Sequence, residues 1–261
     1  MNRRQLAALV AASAAAGLGS VPTVAATTPA AGTEAAPTGD VAMLLYPEFT
    51  ALDLIGPQIL FSFLPGRTVH LVAKTPQTVM SDTGVPIVPT ATFDDLPADL
   101  EILFVPGGTR GAVAAMEDAE TIAFLRDRGA RAGYVTSVCT GALVLGAAGL
   151  LDGYKATTHW TVRDLLPLVG AEPVAARVVT DRNRITGGGV TAGIDFGLTI
   201  LADLAGEDLA RRGQLGIEYD PQPPFAAGSP EQAGPEATAA MLDLFQPFIE
   251  AARAAAERSA R

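Results

Sequence analysis

In 261 residues there is one cysteine, Cys139, and there are two histidines, His70 and His159. One cysteine cannot form an intrachain disulfide, and one Cys with two His cannot build a four-ligand zinc site on their own. No metal chemistry is therefore expected. Charged residues make up 18% of the chain and the formal net charge is −10. With no Lys/Arg cluster, that balance excludes a nucleic-acid surface. Beyond the N-terminal segment no apolar span is long enough to cross a bilayer, and there is no internal repeat and no helix-turn-helix after the folded region. The run Gly187-Gly188-Gly189 lacks the spacing of a dinucleotide fingerprint and the Gly-Lys-Ser/Thr ending of a phosphate loop, so no nucleotide is expected.

The N-terminal segment has its own character. Arg3-Arg4 precedes Gln5-Leu6-Ala7-Ala8-Leu9-Val10 and an Ala-rich apolar run ending near Gly19, the charged and apolar regions of an export signal. The paired arginines point to the twin-arginine route, which carries folded proteins, with Val24-Ala25-Ala26 as a cleavage site. Residues 1–26 are thus expected to be an export leader, against the alternative of an Ala-rich extension on a cytoplasmic protein. Residues 27–39, rich in Ala, Thr, Pro and Gly, are expected to form a flexible linker. The folded region is expected over 40–230, with a C-terminal helix over 231–261.

Within that region Val41–Tyr46, Thr68–Ala73 and Leu100–Val105 read as strands from their apolar runs, and Tyr134–Val138, a short β-branched run, as a central strand. A helix is expected from Thr50 to Phe63, stopped by Pro65-Gly66, and an amphipathic one over Glu117–Arg131 with Ile122, Phe124 and Leu125 inward. Val85–Pro89 reads as an edge or ribbon strand because of its prolines. Another helix is expected from His159-Trp160 through Leu166. Val174–Thr180 and Arg184–Thr186 read as paired strands, leading to an apolar helix Ala192–Leu204 capped by Thr191. Gln214–Pro230 is too proline-rich for a core element and too apolar for a linker, and reads as an arm packing on a subunit or another surface. The last helix starts at Pro235. The fold class is α/β, a mostly parallel sheet with helices on both faces.

The chemistry centres on Cys139. It follows a strand and precedes the small residues Thr140, Gly141 and Ala142, the arrangement of a nucleophile elbow with cysteine in place of serine. A thiol at such a helix start is expected to have its pKa lowered toward thiolate. Asp53 falls where the first strand hands over to the first helix, at the carboxyl edge where open α/β sheets bind ligands; the competing reading is a helix N-cap. Gly107 and Gly108, just past the third main strand, allow close backbone approach to a ligand. His159 reads either as a packing residue or as a group beside the thiol. His70 reads as structural.

Several stretches together carry a family resemblance: Leu52-Asp53-Leu-Ile-Gly-Pro57, Val135-Thr-Ser-Val-Cys139-Thr140-Gly141, Leu143 to Leu151, Ala156-Thr-Thr-His-Trp160, Thr186 to Phe196 and Pro223 to Pro230. In these the chain resembles the ThiJ/PfpI-type superfamily, with its flavodoxin-like fold, and within it most closely the isonitrile (isocyanide) hydratases. Asp53 stands where most of the superfamily carries Glu, which narrows the resemblance to that branch. Val190 departs from an expected Ile, and the leader departs from the family pattern. The resemblance implies hydration of R–N≡C to an N-substituted formamide without a cofactor. It implies Cys139 as nucleophile and Asp53 as general acid/base. Backbone N–H groups of Gly108 and Thr140 would hold developing negative charge, and Gly107, His159, Gly188 and Val190 would line the pocket. A homodimer is implied too. Two other readings stand beside it: another cysteine hydrolase, amidase or glyoxalase-type enzyme, and a ligand- or redox-sensing module. Thr140, where peptidase-like members carry His, argues against a Cys-His protease.

Overall fold

The computed structural model describes residues 39–259; the expected leader over 1–26 and all but the last residue of the expected linker lie outside them. The strands are β1 (Gly39–Leu44), β2 (Arg67–Ala73), β3 (Val79–Met80), β4 (Pro86–Ile87), β5 (Ala91–Thr92), β6 (Ile102–Val105), β7 (Tyr134–Val138), β8 (Lys155–Ala156), β9 (Glu172–Pro173), β10 (Val178–Asp181) and β11 (Arg184–Gly187). The helices are α1 (Ala51–Phe61), α2 (Arg110–Glu117), α3 (Ala119–Gly129), α4 (Gly141–Ala147), α5 (Ala192–Ala205), α6 (Glu207–Gly216) and α7 (Pro230–Ser259), with a 3-10 helix over Trp160–Val169.

Seven strands form one sheet in the order β10-β11-β7-β6-β1-β2-β5. Every neighbouring pair is parallel except β10 and β11. Two short ribbons, β3-β4 and β8-β9, stand apart. The helices pack in two groups: α1, α5 and α6 against one another, and α2, α3, α4, the 3-10 helix and α7 together. This coverage explains why β6 and most of β1 and β7 are buried at every position rather than at alternate ones. Phe61 of α1, Phe104 of β6 and Phe196 of α5 meet with ring centroids 5.6 to 6.1 Å apart, tying the helix that carries Asp53 to the sheet. Gly193 and Gly197 let α5 approach α1 at Pro57 and Leu60.

The parallel register brings the carboxyl ends of the central strands to one edge. Met43 pairs with Phe104, Phe104 with Thr136, and Val138 with Gly187. The residues that follow these strands therefore emerge side by side.

Some elements differ from the sequence expectation. The helix expected over Glu117–Arg131 is two helices, because Asp118 turns the chain and its carboxylate accepts the Thr121 N–H at 2.9 Å to start α3. The helix expected from His159 onward is a 3-10 run ended by left-handed Gly170. Thr191 precedes α5 without capping it, its hydroxyl being taken by Arg177 at 3.3 Å. The expected arm begins inside α6, and only the stretch beyond it is irregular and exposed. The last helix begins at Pro230 and is broken at Gly234, whose φ is 81°; Ala252, Ala255 and Ala256 bury its far end.

Candidate active site

At the end of β7 the chain turns through Cys139 with φ of 58° and enters α4 directly. A non-glycine residue there costs of order 1–3 kcal/mol and persists only when its surroundings hold it. Here they do. The Cys139 N–H points at the carbonyls of Gly187 and Gly188, 3.1 and 2.7 Å away, and the Cys139 carbonyl accepts the Thr158 hydroxyl at 2.7 Å. Gly141 closes the turn: a Cβ there would lie 2.3 Å from the Val105 carbonyl oxygen, so no larger residue fits.

Asp53 is the third residue of α1 and fully buried. It is not the N-cap; Thr50 holds that position. Its Oδ2 accepts the Gly107 N–H at 2.9 Å, while Oδ1 has no hydrogen-bond partner among the described residues. Burial raises its pKa to about 7, against the opposing pull of the Gly107 N–H and the Cys139 side chain, with a further push upward from Asp82. The two side chains flank Gly107, where a Cβ would lie 2.6 Å from Asp53 Oδ2, 2.7 Å from Cys139 Cβ and 2.7 Å from the Thr140 nitrogen. Gly107 is thus the one residue type that lets carboxyl, thiol and loop converge.

The expected lowering of the thiol pKa is not what the structure shows. Burial raises it well above the ordinary cysteine value and the Asp53 carboxylate raises it further, with the Thr140 N–H and hydroxyl opposing. The helix-terminus effect is worth at most a couple of kcal/mol, and α4 is only seven residues long. Desolvation of a buried charge outweighs it. Burial and the Asp53 carboxylate both favour the protonated thiol.

The loop after β6 is fixed on every side. The Gly107 carbonyl accepts the Thr50 N–H at 2.8 Å. Thr140 Oγ1 accepts the Gly108 N–H at 2.8 Å and donates to the Gly108 carbonyl at 2.6 Å. The Gly108 N–H, expected to face an oxyanion, is therefore already committed to Thr140. The Thr140 N–H is directed at the sulfur instead. Tyr46, which was not singled out in the sequence, donates its hydroxyl to the Pro106 carbonyl at 2.7 Å from within the core. Its only sequence signal is its place, a polar-tipped aromatic closing an apolar strand at the carboxyl edge.

The remaining expected residues separate. Gly188 meets Cys139 through its carbonyl. Val190 packs against the core. His159 bonds Thr161 Oγ1 through Nδ1 at 2.8 Å and lies beside Trp160 and Phe245, each 5.9 Å away between centroids. Burial lowers its pKa. It is not among the groups that perturb the thiol, and its neighbour Thr158 is the residue that touches Cys139. His70 bonds Asp40 at 2.7 Å, a structural contact. Among the described residues no cluster of His, Cys, Asp and Glu is arranged to hold a metal ion.

A doubly covered parallel sheet with a buried cysteine elbow facing a buried carboxyl defines a class of α/β proteins built around a thiol. The chain belongs to the DJ-1/PfpI family, matching it over residues 40–203. It is 53% identical to the isonitrile hydratase of Pseudomonas putida over 193 residues, covering 74% of this chain and 84% of that protein. The crystal structure of a ThiJ/PfpI family protein from Pseudomonas syringae superposes with a TM-score of 0.83 at 52% identity, covering 88% of this chain and 97% of the other. The HTH-type transcriptional regulator GbdR of Pseudomonas aeruginosa is more distant, 29% identical over 65% of this chain and 48% of its own length.

Proposed function

We propose that this protein hydrates isonitriles to N-substituted formamides, with Cys139 as nucleophile and Asp53 as the proton-transfer group. The observation that carries the reading is the buried pairing of Asp53 and Cys139 around Gly107, in a chain 53% identical to an isonitrile hydratase. The terminal carbon of an isonitrile accepts a soft nucleophile only if it also receives a proton. A thiol beside a carboxyl of pKa about 7 supplies both. In the one-proton form of the pair, sulfur attacks the carbon as its proton passes to the carboxylate, and the carboxyl returns that proton to the carbon. The S–H bond breaks, S–C and C–H bonds form, and the product is the thioimidate R–N=CH–S–Cys139. The Thr140 N–H stabilises charge developing on sulfur.

Water then adds to the thioimidate carbon. Asp53 takes the water proton and passes it to nitrogen, giving R–NH–CH(OH)–S–Cys139. Rupture of the C–S bond, with the hydroxyl proton returning to sulfur, releases R–NH–CHO and the free thiol. The balance is one isonitrile and one water per formamide, and neither cofactor nor metal takes part.

The direct test is incubation with alkyl and aryl isonitriles, following the formyl proton of the product by NMR. Cys139→Ala and Asp53→Asn should each lower turnover by about a thousandfold or more. Hydrolysis of amides with no formamide from any isonitrile would favour the amidase reading instead. We further propose that residues 1–26 direct export. Fractionating cells that express the full chain, beside a form with Arg3 and Arg4 both replaced by Lys, decides this: activity confined to the cytoplasm in both would refute it.

A further inference from the structure

The peptide unit joining Pro106 to Gly107 is gripped at both ends. Its carbonyl oxygen accepts the Tyr46 hydroxyl at 2.7 Å and its N–H donates to Asp53 Oδ2 at 2.9 Å, and both bonds are buried. A hydrogen bond to an amide oxygen draws electron density from the nitrogen and makes the N–H a stronger donor. We propose that Tyr46 is a positioning residue for the catalytic pair, acting through the Pro106–Gly107 peptide to orient the Asp53 carboxyl and strengthen the single hydrogen bond that carboxyl receives from the backbone. This rests on the assignment of Asp53 as the proton-transfer group.

Three features separate this role from packing. First, among the described residues Asp53 Oδ1 has no hydrogen-bond partner and the Gly107 N–H is the one backbone donor to the carboxyl. A change in that donor therefore acts directly on Asp53, beside the opposing pull of the Cys139 side chain. Second, the loop does not depend on Tyr46 to stay in place. Thr50 holds the Gly107 carbonyl and Thr140 holds both polar groups of Gly108. Loss of the phenol hydroxyl therefore changes the polarisation of the peptide more than its position. Third, the phenol is a donor at every working pH, because burial and then the nearby Asp53, Cys139 and Asp82 all disfavour its ionisation. These are the titratable groups facing Tyr46 from α1, the elbow and the loop after β3. Tyr46 also lines a cavity of about 620 Å³ whose walls include Lys74 and Asp118, paired with each other at 2.5 Å.

The Gly107 N–H lowers the proton affinity of Asp53, so weakening it must raise that affinity. The test uses the full chain and reads the Asp53 carboxyl directly, by infrared difference titration against Asp53→Asn. In Tyr46→Phe the midpoint should rise by about half a pH unit or more, and the low-pH limb of kcat should move with it. A drop in kcat of about three- to thirtyfold with KM within about twofold is expected. Replacing Tyr46 by 3-fluorotyrosine keeps every contact and makes the phenol a stronger donor, so the midpoint should fall, whatever the Phe variant does to folding. Unmoved midpoints in both proteins, or lost kcat with an unmoved pH limb, would overturn the proposal. The titration needs no turnover. If the wild-type chain makes no formamide, the hydration reading fails separately; if it does and the midpoints stay fixed, only the role of Tyr46 fails.

Discussion

The Asp53 carboxyl and the Cys139 thiol flank the α-carbon of Gly107, and each raises or restrains the proton affinity of the other. Both groups are buried, so their charge states are set by burial, by the Gly107 and Thr140 donors and by each other. That coupling underlies most of the behaviour expected of the protein.

Gly107→Ala tests the geometry. A methyl group there would lie 2.6 Å from Asp53 Oδ2 and 2.7 Å from both Cys139 Cβ and the Thr140 nitrogen, and two of these three atoms belong to the reacting pair. The site is rigid, so the carboxyl and thiol must part. A displacement of about 1 Å should lower kcat by about a hundredfold, and overpacking should cost about 1–3 kcal/mol of stability. Formamide production and urea unfolding measure the two. Wild-type turnover in Gly107→Ala would show that the pair need not be in contact.

The pH dependence follows from the titration order. Asp53, with its pKa raised to about 7, ionises before the thiol, which is raised well above its ordinary value. The active form carries one proton on the pair, so kcat/KM should rise from pH 6 to 8 with an apparent pKa of about 7, a value belonging to the pair. Isonitriles do not titrate in this range, so the limb reports the enzyme. Activity that falls between pH 6 and 8 would mean that the pair loses its second proton in that range, against the raised proton affinity of the thiol.

The parts of this arrangement that were legible in the sequence are those set by local pattern. The central strands show as buried β-branched runs, and Cys139 and Asp53 show as chemistry-bearing residues at the ends of strands. The parts that were not legible depend on contacts across long separations. The direction of the thiol pKa depends on desolvation by the whole fold, which no local motif encodes. The Gly108 N–H looked available because its acceptor, Thr140 Oγ1, lies 32 positions away, and the Tyr46 contact spans 60. Helix α2 was not legible because it is short and built of small residues whose use is close packing: a Cβ on Gly111 would lie 2.4 Å from the Pro47 carbonyl oxygen.

A homodimer is expected from what the described surface exposes. Leu52, Ile55 and Ile59 form an apolar stripe on the outer side of α1, each about two-fifths exposed. Val88 after β4, Phe225 of the irregular stretch and Leu244 of α7 are exposed more than that. The α1 stripe is the surface we expect a second copy of the chain to cover. Light scattering at micromolar concentration should give twice the mass of one chain, and Ile55→Glu with Leu244→Glu should shift it toward a single chain. A wild-type monomer under the same conditions would contradict the expectation.

The buried carboxyl carries a stability cost that depends on pH. Asp53 titrates at about 7 in the folded protein and near 3.8 when unfolded, so the fold favours the protonated form. The sign follows from linkage: the stabilisation from this raised pKa is complete below about pH 4 and is lost as pH rises through about 7. Above that, a buried carboxylate is being held ionised at the expense of the fold. Asp53→Asn stays neutral throughout and keeps an oxygen for the Gly107 N–H, so it lacks this loss. Its stability relative to wild type should therefore increase by about 2 kcal/mol between pH 5 and pH 8, before discount for relaxation around the charge. Urea unfolding of both proteins at one fixed protein concentration measures the difference, since dimer formation would otherwise enter the result. The same substitution should remove turnover, so the variant would be more stable at pH 8 and inactive. A stability difference that does not change with pH would mean that Asp53 ionises as freely in the folded chain as in the unfolded one, and the raised proton affinity on which the acid/base role depends would be wrong.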